Sequence, residues 1–188
     1  MKLVLASKSP RRKEILSMVT SDFTVRVSDA NEEYDKETPL NQVPRILAER
    51  KAMAVEIEED EIIIGCDTVV VYGNELMGKP SDKNEAIRML KMLSGTVHQV
   101  ISGISLRSKD KLVSDSVVTY VRFKDLSDME IERYVNKFNP IDKAGAYGIQ
   151  ESAGAFVVGI EGDFYNVVGL PLCHMCQMLK NEFDEEIL

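Results

Sequence analysis

Polar and apolar positions along this chain change period repeatedly, and each change marks an element. Leu3-Val4-Leu5-Ala6 is a short apolar run, so residues 2–6 read as a strand. Ile15, Leu16 and Val19 recur at helical spacing and predict a helix over 10–19. Phe23-Thr24-Val25-Arg26-Val27 alternates like a second strand. Residues 28–38 are polar and acidic, with Asp29, Glu32, Glu33, Asp35 and Glu37. Val43, Ile46, Leu47 and Ala54 line one side of an amphipathic helix over 41–57. Ile62-Ile63-Ile64 reads as a buried strand that stops at Gly65-Cys66-Asp67-Thr68. Val69-Val70-Val71-Tyr72 resumes extended chain and Gly73-Asn74 turns it.

Further on, Ala86, Met89, Leu90 and Leu93 face a core from a helix over 82–93. Strands follow over 97–106 and 113–123, the second in Val117, Thr119, Val121 alternation, then a helix over 128–138. Gly145, Gly148, Gly154, Gly159 and Gly162 punctuate a loop-rich stretch holding a strand, Phe156-Val157-Val158. Val167-Val168-Gly169-Leu170-Pro171 leads into a closing helix over about 172–182. Strands alternate with helices at first and then pair like hairpins. That order predicts an α/β fold, a mixed sheet flanked by helices. No repeat, low-complexity segment or Pro/Gly-rich linker divides the 188 residues, which read as one domain, 1–188.

Composition narrows the functional classes. An apolar fraction of 44% is ample for a full core. The net charge of −8 argues against general binding to nucleic acid or an anionic membrane, which needs a basic face. A small anion remains compatible, because local cations or a carboxylate-held metal can make one electropositive pocket. No apolar run approaches the roughly 20 residues of a membrane-spanning helix. The N-terminal apolar stretch runs straight into Lys8, Arg11 and Arg12, unlike a signal peptide. Three cysteines, Cys66, Cys173 and Cys176, are too few for a disulfide framework, and a reduced cytoplasmic setting is expected.

Ser7-Lys8-Ser9-Pro10-Arg11-Arg12 stands where the first strand gives way to a helix. Hydroxyls, unpaired backbone N–H groups and two guanidiniums gathered there suit a phosphate chain. The same residues also read as ordinary capping, with Ser9 as N-cap and Pro10 at the first helical position. Asp67 follows an apolar run at the carboxyl end of a predicted core strand, where open α/β sheets gather ligands. It can hold Mg2+ or take a proton from water, or simply cap a turn. Glu32 can add a second metal oxygen or be one solvated charge among many. Lys79, in the constrained turn Gly78-Lys79-Pro80, and Lys51, on a helix, are candidate phosphate partners.

His98 has no obvious nucleophile beside it and reads as a hydrogen-bonded structural histidine. Cys173-His174-Met175-Cys176 lacks the second ligand pair of a structural zinc site and reads as core helix. Ala144-Gly145-Ala146-Tyr147-Gly148-Ile149-Gln150 is a small-residue loop that lets backbone approach a flat ligand, with Gln150 able to answer a base edge. Neither a Rossmann fingerprint nor a Walker motif is present.

Taken in order, Leu5 to Arg12, Gly65-Cys66-Asp67-Thr68, Gly78-Lys79-Pro80, Leu93 to Val100, Lys143 to Gln150 and Val168-Gly169-Leu170-Pro171 resemble the Maf family of nucleoside triphosphate pyrophosphatases. The likeness runs from about residue 3 to about 180. It implies an elongated mixed sheet with a cleft between two lobes, like the inosine triphosphate pyrophosphatases, often as a homodimer. It also implies hydrolysis of a nucleoside triphosphate to the monophosphate and pyrophosphate with a divalent metal, Mg2+ or Mn2+.

On the resemblance, Asp67 is the catalytic acid/base and a metal ligand with Glu32, and Ser7, Arg12, Lys51 and Lys79 hold the phosphates. Cys66 stands where the family usually has alanine. Arg11, Thr68 and Gln150 fall on the positions linked to base choice. The Ser-Pro-Arg-Arg and Gly-Ala-Tyr-Gly-Ile-Gln runs resemble the dTTP/UTP branch, whereas the 7-methyl-GTP branch usually has tryptophan at the place of Arg11. Modified pyrimidine triphosphates are further candidate substrates. A regulator of cell division that binds a nucleotide without turnover is the alternative.

Overall fold

The computed structural model describes residues 1–27 and 29–187. Its elements are β1 (Lys2–Leu5), α1 (Pro10–Leu16), β2 (Phe23–Val25), α2 (Val43–Met53), β3 (Glu61–Tyr72), β4 (Glu75–Met77), α3 (Lys83–Leu93), β5 (Val97–Arg107), β6 (Leu112–Phe123), α4 (Asp128–Phe138), β7 (Val157–Glu161), α5 (Phe164–Val168) and α6 (Leu172–Phe183). Short 3-10 turns lie at Ala144–Ala146 and Ser152–Phe156. The strands form one seven-stranded mixed sheet in the order β2-β1-β3-β5-β6-β7, with β4 on β3. The expected α/β class, a mixed sheet flanked by helices, is what the chain adopts. Its residues sort into two compact units: Met1–Asp67, Ser102–Val117 and Gly169–Leu188 in the first; Thr68–Ile101 and Val118–Val168 in the second.

The first unit is built on parallel pairing. β1 pairs with β2 through Leu3↔Phe23 and Leu5↔Val25, and with β3 through Leu3↔Ile62 and Leu5↔Ile64. β1 connects to β2 through α1 and β2 connects to β3 through α2, and the two crossovers run in opposite directions along the sheet. Right-handed crossovers then put α1 and α2 on opposite faces. On the α2 face, Val4, Ala6 and Ile63 pack with Ala52 and Val55. Two glycines let that helix backbone come in unusually close. A Cβ on Gly65 would stand 2.2 Å from the Ala48 carbonyl oxygen, and one on Gly103 2.1 Å from the Pro44 carbonyl group. Arg107 closes the helix end by donating to the carbonyls of Ala52 and Val55, each at 3.0 Å.

In the second unit, β6 and β7 pair antiparallel and α3 and α4 pack on a core of Met89, Leu90, Leu93, Phe123, Ile131, Tyr134, Val135 and Phe156. Asp82 caps α3 by accepting from Glu85 N–H at 2.9 Å. Ser127 and Glu130 form a reciprocal capping box on α4. His98 is buried, with Nε2 2.8 Å from the Tyr147 hydroxyl and its ring edge-on to Phe123. Burial brings its pKa down to about 4.

Several expectations need correction. The predicted break at Gly65-Cys66-Asp67-Thr68 does not exist, because β3 runs unbroken for 12 residues. Where β1 ends, the later half of β3 finds β4 instead, through Val70↔Met77. Asp67 therefore lies inside a strand and caps no turn. α1 stops at Leu16, where Ser17 turns its hydroxyl back on the Lys13 carbonyl at 2.8 Å. β2 stops at Val25 and Arg26 swings its guanidinium onto Glu61. α2 is shorter than 41–57, and Ala54 is exposed rather than core-facing. Phe156 belongs to a 3-10 turn, so β7 begins one residue later. β4 and α5 were not foreseen, being too short to show a period.

Candidate functional site

The register of β1 and β3 decides which side chains meet. Beyond the last paired residues, Ala6 N–H still donates to the Ile64 carbonyl at 2.9 Å. Side chains alternate across a strand, so Gly65 and Asp67 share the α2 face with Val4, Ala6 and Ile63. Ser7 and Cys66 share the opposite face. Two polar groups thus form beside the end of β1, one on each side of the sheet. In a sheet wound both ways from β1, that is the switch point where ligands gather.

On the α2 face, Lys51 Nζ lies 2.5 Å from Asp67 Oδ1 and 2.8 Å from Glu32 Oε1. The Lys51 and Asp67 side chains are each 13% exposed, and Glu32 is 62% exposed. Burial pushes the Lys51 pKa down, but the charge and hydrogen bond of Asp67 and the hydrogen bond of Glu32 outweigh it. The net shift is upward, so Lys51 stays an ammonium. Arg50 donates to the Glu33 carbonyl, which pins the acidic loop beside α2 and sets Glu32 in place.

On the other face, Arg12 Nε donates to the Gly169 carbonyl at 2.9 Å and its Nη1 donates to Ser7 Oγ at 3.2 Å. Cys66 Sγ also donates to the Gly169 carbonyl, at 3.2 Å. Ser9 is the N-cap of α1 and Pro10 takes its first turn. The capping reading and the gathering of cations therefore hold together. Arg11 is half-buried beside them. The Arg12 charge reaches Lys51 and pulls its pKa down, so the two faces sense each other electrostatically.

Thr68, Lys79 and Gln150 belong to the second unit. Thr68 is half-buried and points opposite to Asp67 along β3. Lys79 and Gln150 are exposed, and Gly145 N–H donates to the Gly78 carbonyl at 3.1 Å, tying the Lys79 turn to the loop that carries Gln150. Cys173 and His174 lie on α6, with His174 Nε2 2.9 Å from Asp115 Oδ2.

Sequence reasoning missed the part played by Gly169. Its only signal was the quoted Val-Gly-Leu-Pro run, which carried no chemistry of its own. Helical periodicity likewise gave no sign that Lys51 would be buried against a carboxylate.

The donor set bears on a metal. Asp67 and Glu32 grip one ammonium, so their contacting oxygens lie close to each other. Among the described residues, no group of three or more His, Cys, Asp and Glu is arranged to hold an ion. Two carboxylates still fit a hard cation whose other oxygens come from substrate phosphates.

The family model described as Maf-like protein matches residues 2–182. The chain belongs to the Maf family. Maf relatives named dTTP/UTP pyrophosphatase include one from Alkaliphilus oremlandii, 47% identical over 99% of this chain and 98% of that protein. Another, from Bacillus cereus, is 42% identical over 99% and 97% of the two chains. A third, from Thermosipho africanus, is 44% identical over 95% and 92%. Among solved structures, the Ham1 protein of Staphylococcus aureus matches over 66% of this Maf chain and 73% of its own, at a TM-score of 0.47 and 16% identity.

Proposed function

We propose that this protein hydrolyses dTTP and UTP, and pyrimidine analogues of them, to the monophosphate and pyrophosphate. The names of its Maf relatives support the substrate class. The observation that carries the chemistry is the Lys51 ammonium held between Asp67 and Glu32 at the ends of β1, with Arg12 within electrostatic reach. A hydrolase of phosphoanhydrides needs a carboxylate to take a proton and cations to steady charge.

In this reading, Asp67 accepts a proton from the water that attacks the α-phosphorus. The bond from that phosphorus to the bridging oxygen breaks, and pyrophosphate leaves. Ser7, Arg12, Lys51 and Lys79 hold the phosphate oxygens; placing Lys79 among them rests on the resemblance. Asp67, paired with Lys51, also keeps that lysine an ammonium against the pull of burial. A divalent cation such as Mg2+ or Mn2+, bound by Asp67 and Glu32, would neutralise charge on the phosphate chain. Arg11, Thr68 and Gln150 select the base on the strength of the resemblance. A site that pairs a uracil or thymine edge leaves polar groups unsatisfied with another base.

No helix among the described residues is long and apolar enough to cross a membrane. We place the protein in the cytoplasm, as one functional domain of a family whose members are often homodimers, with neither nucleic acid nor membrane as partner.

The test is a panel of nucleoside triphosphates with Mg2+, read as monophosphate and pyrophosphate. UTP and dTTP should be cleaved fastest. Faster cleavage of 7-methyl-GTP would overturn the base assignment. Tight nucleotide binding with no product would favour a regulator of division.

A further inference from the structure

We propose that Gly169 is a positioning residue for Arg12, an inference that rests on the pyrophosphatase reading above. A guanidinium on a long side chain helps a phosphate site only if its planar fork is aimed beforehand. Arg12 is aimed by contacts that use different nitrogens. Nε donates to the Gly169 carbonyl at 2.9 Å, and Nη1 donates to Ser7 Oγ at 3.2 Å. One contact along the edge of the plane and one at its tip fix both its tilt and its reach.

The same carbonyl does a second thing. A carbonyl oxygen has two lone pairs, and Cys66 Sγ also donates to it at 3.2 Å. Cys66 is fully buried on β3, one residue before Asp67. A single oxygen therefore ties the phosphate-facing arginine of α1 to the strand that carries the proposed base. Moving that oxygen moves Arg12 relative to Asp67.

The chain around it is built to keep the oxygen still. Gly169 has a φ of 129°, in the region that L side chains rarely adopt. Leu170 and Pro171 follow, both buried, and Pro171 leads directly into α6. The Val-Gly-Leu-Pro run of the sequence is thus read as a bracket. Glycine permits the turn, leucine anchors it, and proline delivers it to a helix end.

The experiment is a double-mutant cycle on UTP hydrolysis with Gly169→Ala and Arg12→Lys. Lysine keeps the charge but has no Nε–H to donate. Gly169→Ala in the wild-type background should lower kcat/KM by up to about 100-fold. In the Arg12→Lys background it should cost no more than about twofold. A purely structural role would lower the melting temperature but give the same fold-loss in both backgrounds, and that result overturns the assignment.

Alanine at a positive φ can prevent folding, so Pro171→Ala serves as a milder second variant. It should cost about threefold or more in the wild type and again almost nothing beside Arg12→Lys. If Gly169→Ala does not fold, an unchanged kcat/KM in Pro171→Ala overturns the inference. Wild-type protein that cleaves no nucleoside triphosphate removes the pyrophosphatase reading itself. Active wild type with multiplying losses removes only the role given to Gly169.

Discussion

Lys51 Nζ stands 2.5 Å from Asp67 Oδ1, and this contact joins α2 to β3 beside the point where β1 ends. It depends on strand parity. Asp67 shares a face with Gly65, one of the two glycines at which the α2 backbone comes in close on the sheet. A helix held that near can lower a long side chain onto the strand and exclude water around it. Two charges in such a place attract more strongly than they would in water, and Asp67 holds Lys51 as an ammonium.

Asp67→Asn should cut kcat on UTP by about 100- to 10,000-fold, the usual range for losing a general base. Lys51 keeps its contact with Glu32, so the fold should survive. Loss of the Asp67 charge also removes the strongest upward pull on Lys51, whose pKa should drop. Pyrophosphate release with a far-UV circular dichroism control checks both points. Full turnover in this variant would falsify the role given to Asp67.

Chelation of divalent cations should abolish hydrolysis, and added Mg2+ or Mn2+ should restore it. Glu32→Gln should then raise the Mg2+ concentration for half-maximal rate by about tenfold or more. Glu32 is largely exposed, so the same change should leave stability within about 0.5 kcal/mol. A metal titration at fixed UTP, with a melting curve, reads both. An unshifted titration removes Glu32 from the metal.

Gly65→Ala should destabilise the protein by about 1–3 kcal/mol or more, because its Cβ would meet helix backbone rather than a yielding side chain. The helix must retreat, and Lys51 retreats with it. Turnover should therefore fall even at temperatures where the variant is fully folded. Urea denaturation and kinetics at low temperature separate the two effects. A stable, fully active Gly65→Ala protein contradicts the close packing described above.

His98 gives a pH signature. Burial holds its folded pKa at about 4, below its ordinary value of 6.5. The unfolded chain then binds the extra proton first, so its contribution is complete above pH 6.5 and fades as pH falls toward 4. The loss is on the order of 3 kcal/mol once both states are protonated. Urea midpoints at pH 7 and pH 4.5 should drop less in His98→Gln, which keeps an acceptor for Tyr147. Equal drops in both proteins mean that His98 is not responsible.

Elements with strong end signals were legible. α4 was expected over 128–138 and runs Asp128–Phe138, because Ser127 and Glu130 cap one end and Asn139 adopts a left-handed conformation at the other. α3 was legible for a similar reason: Asp82 caps it and its four core residues are all buried. α2 was harder. It packs through small residues and direct backbone contact at Gly65 and Gly103, so its apolar stripe is thin and its ends are poorly marked. β3 was broken in the expectation because a glycine two residues before an aspartate imitates a turn. The glycine is there to admit a helix.

By itself, the sequence determined the α/β class, the family and the identity of the charged residues at issue, because periodicity, capping and ordered motifs are local properties. Tertiary structure alone decided which charges touch. The parallel register of β1 and β3 puts Asp67 under Lys51 on one face and Ser7 under Arg12 on the other. It also brings the carbonyl of Gly169 to a guanidinium 157 positions away. Such contacts follow from strand order and close helix packing, which no short stretch of sequence encodes.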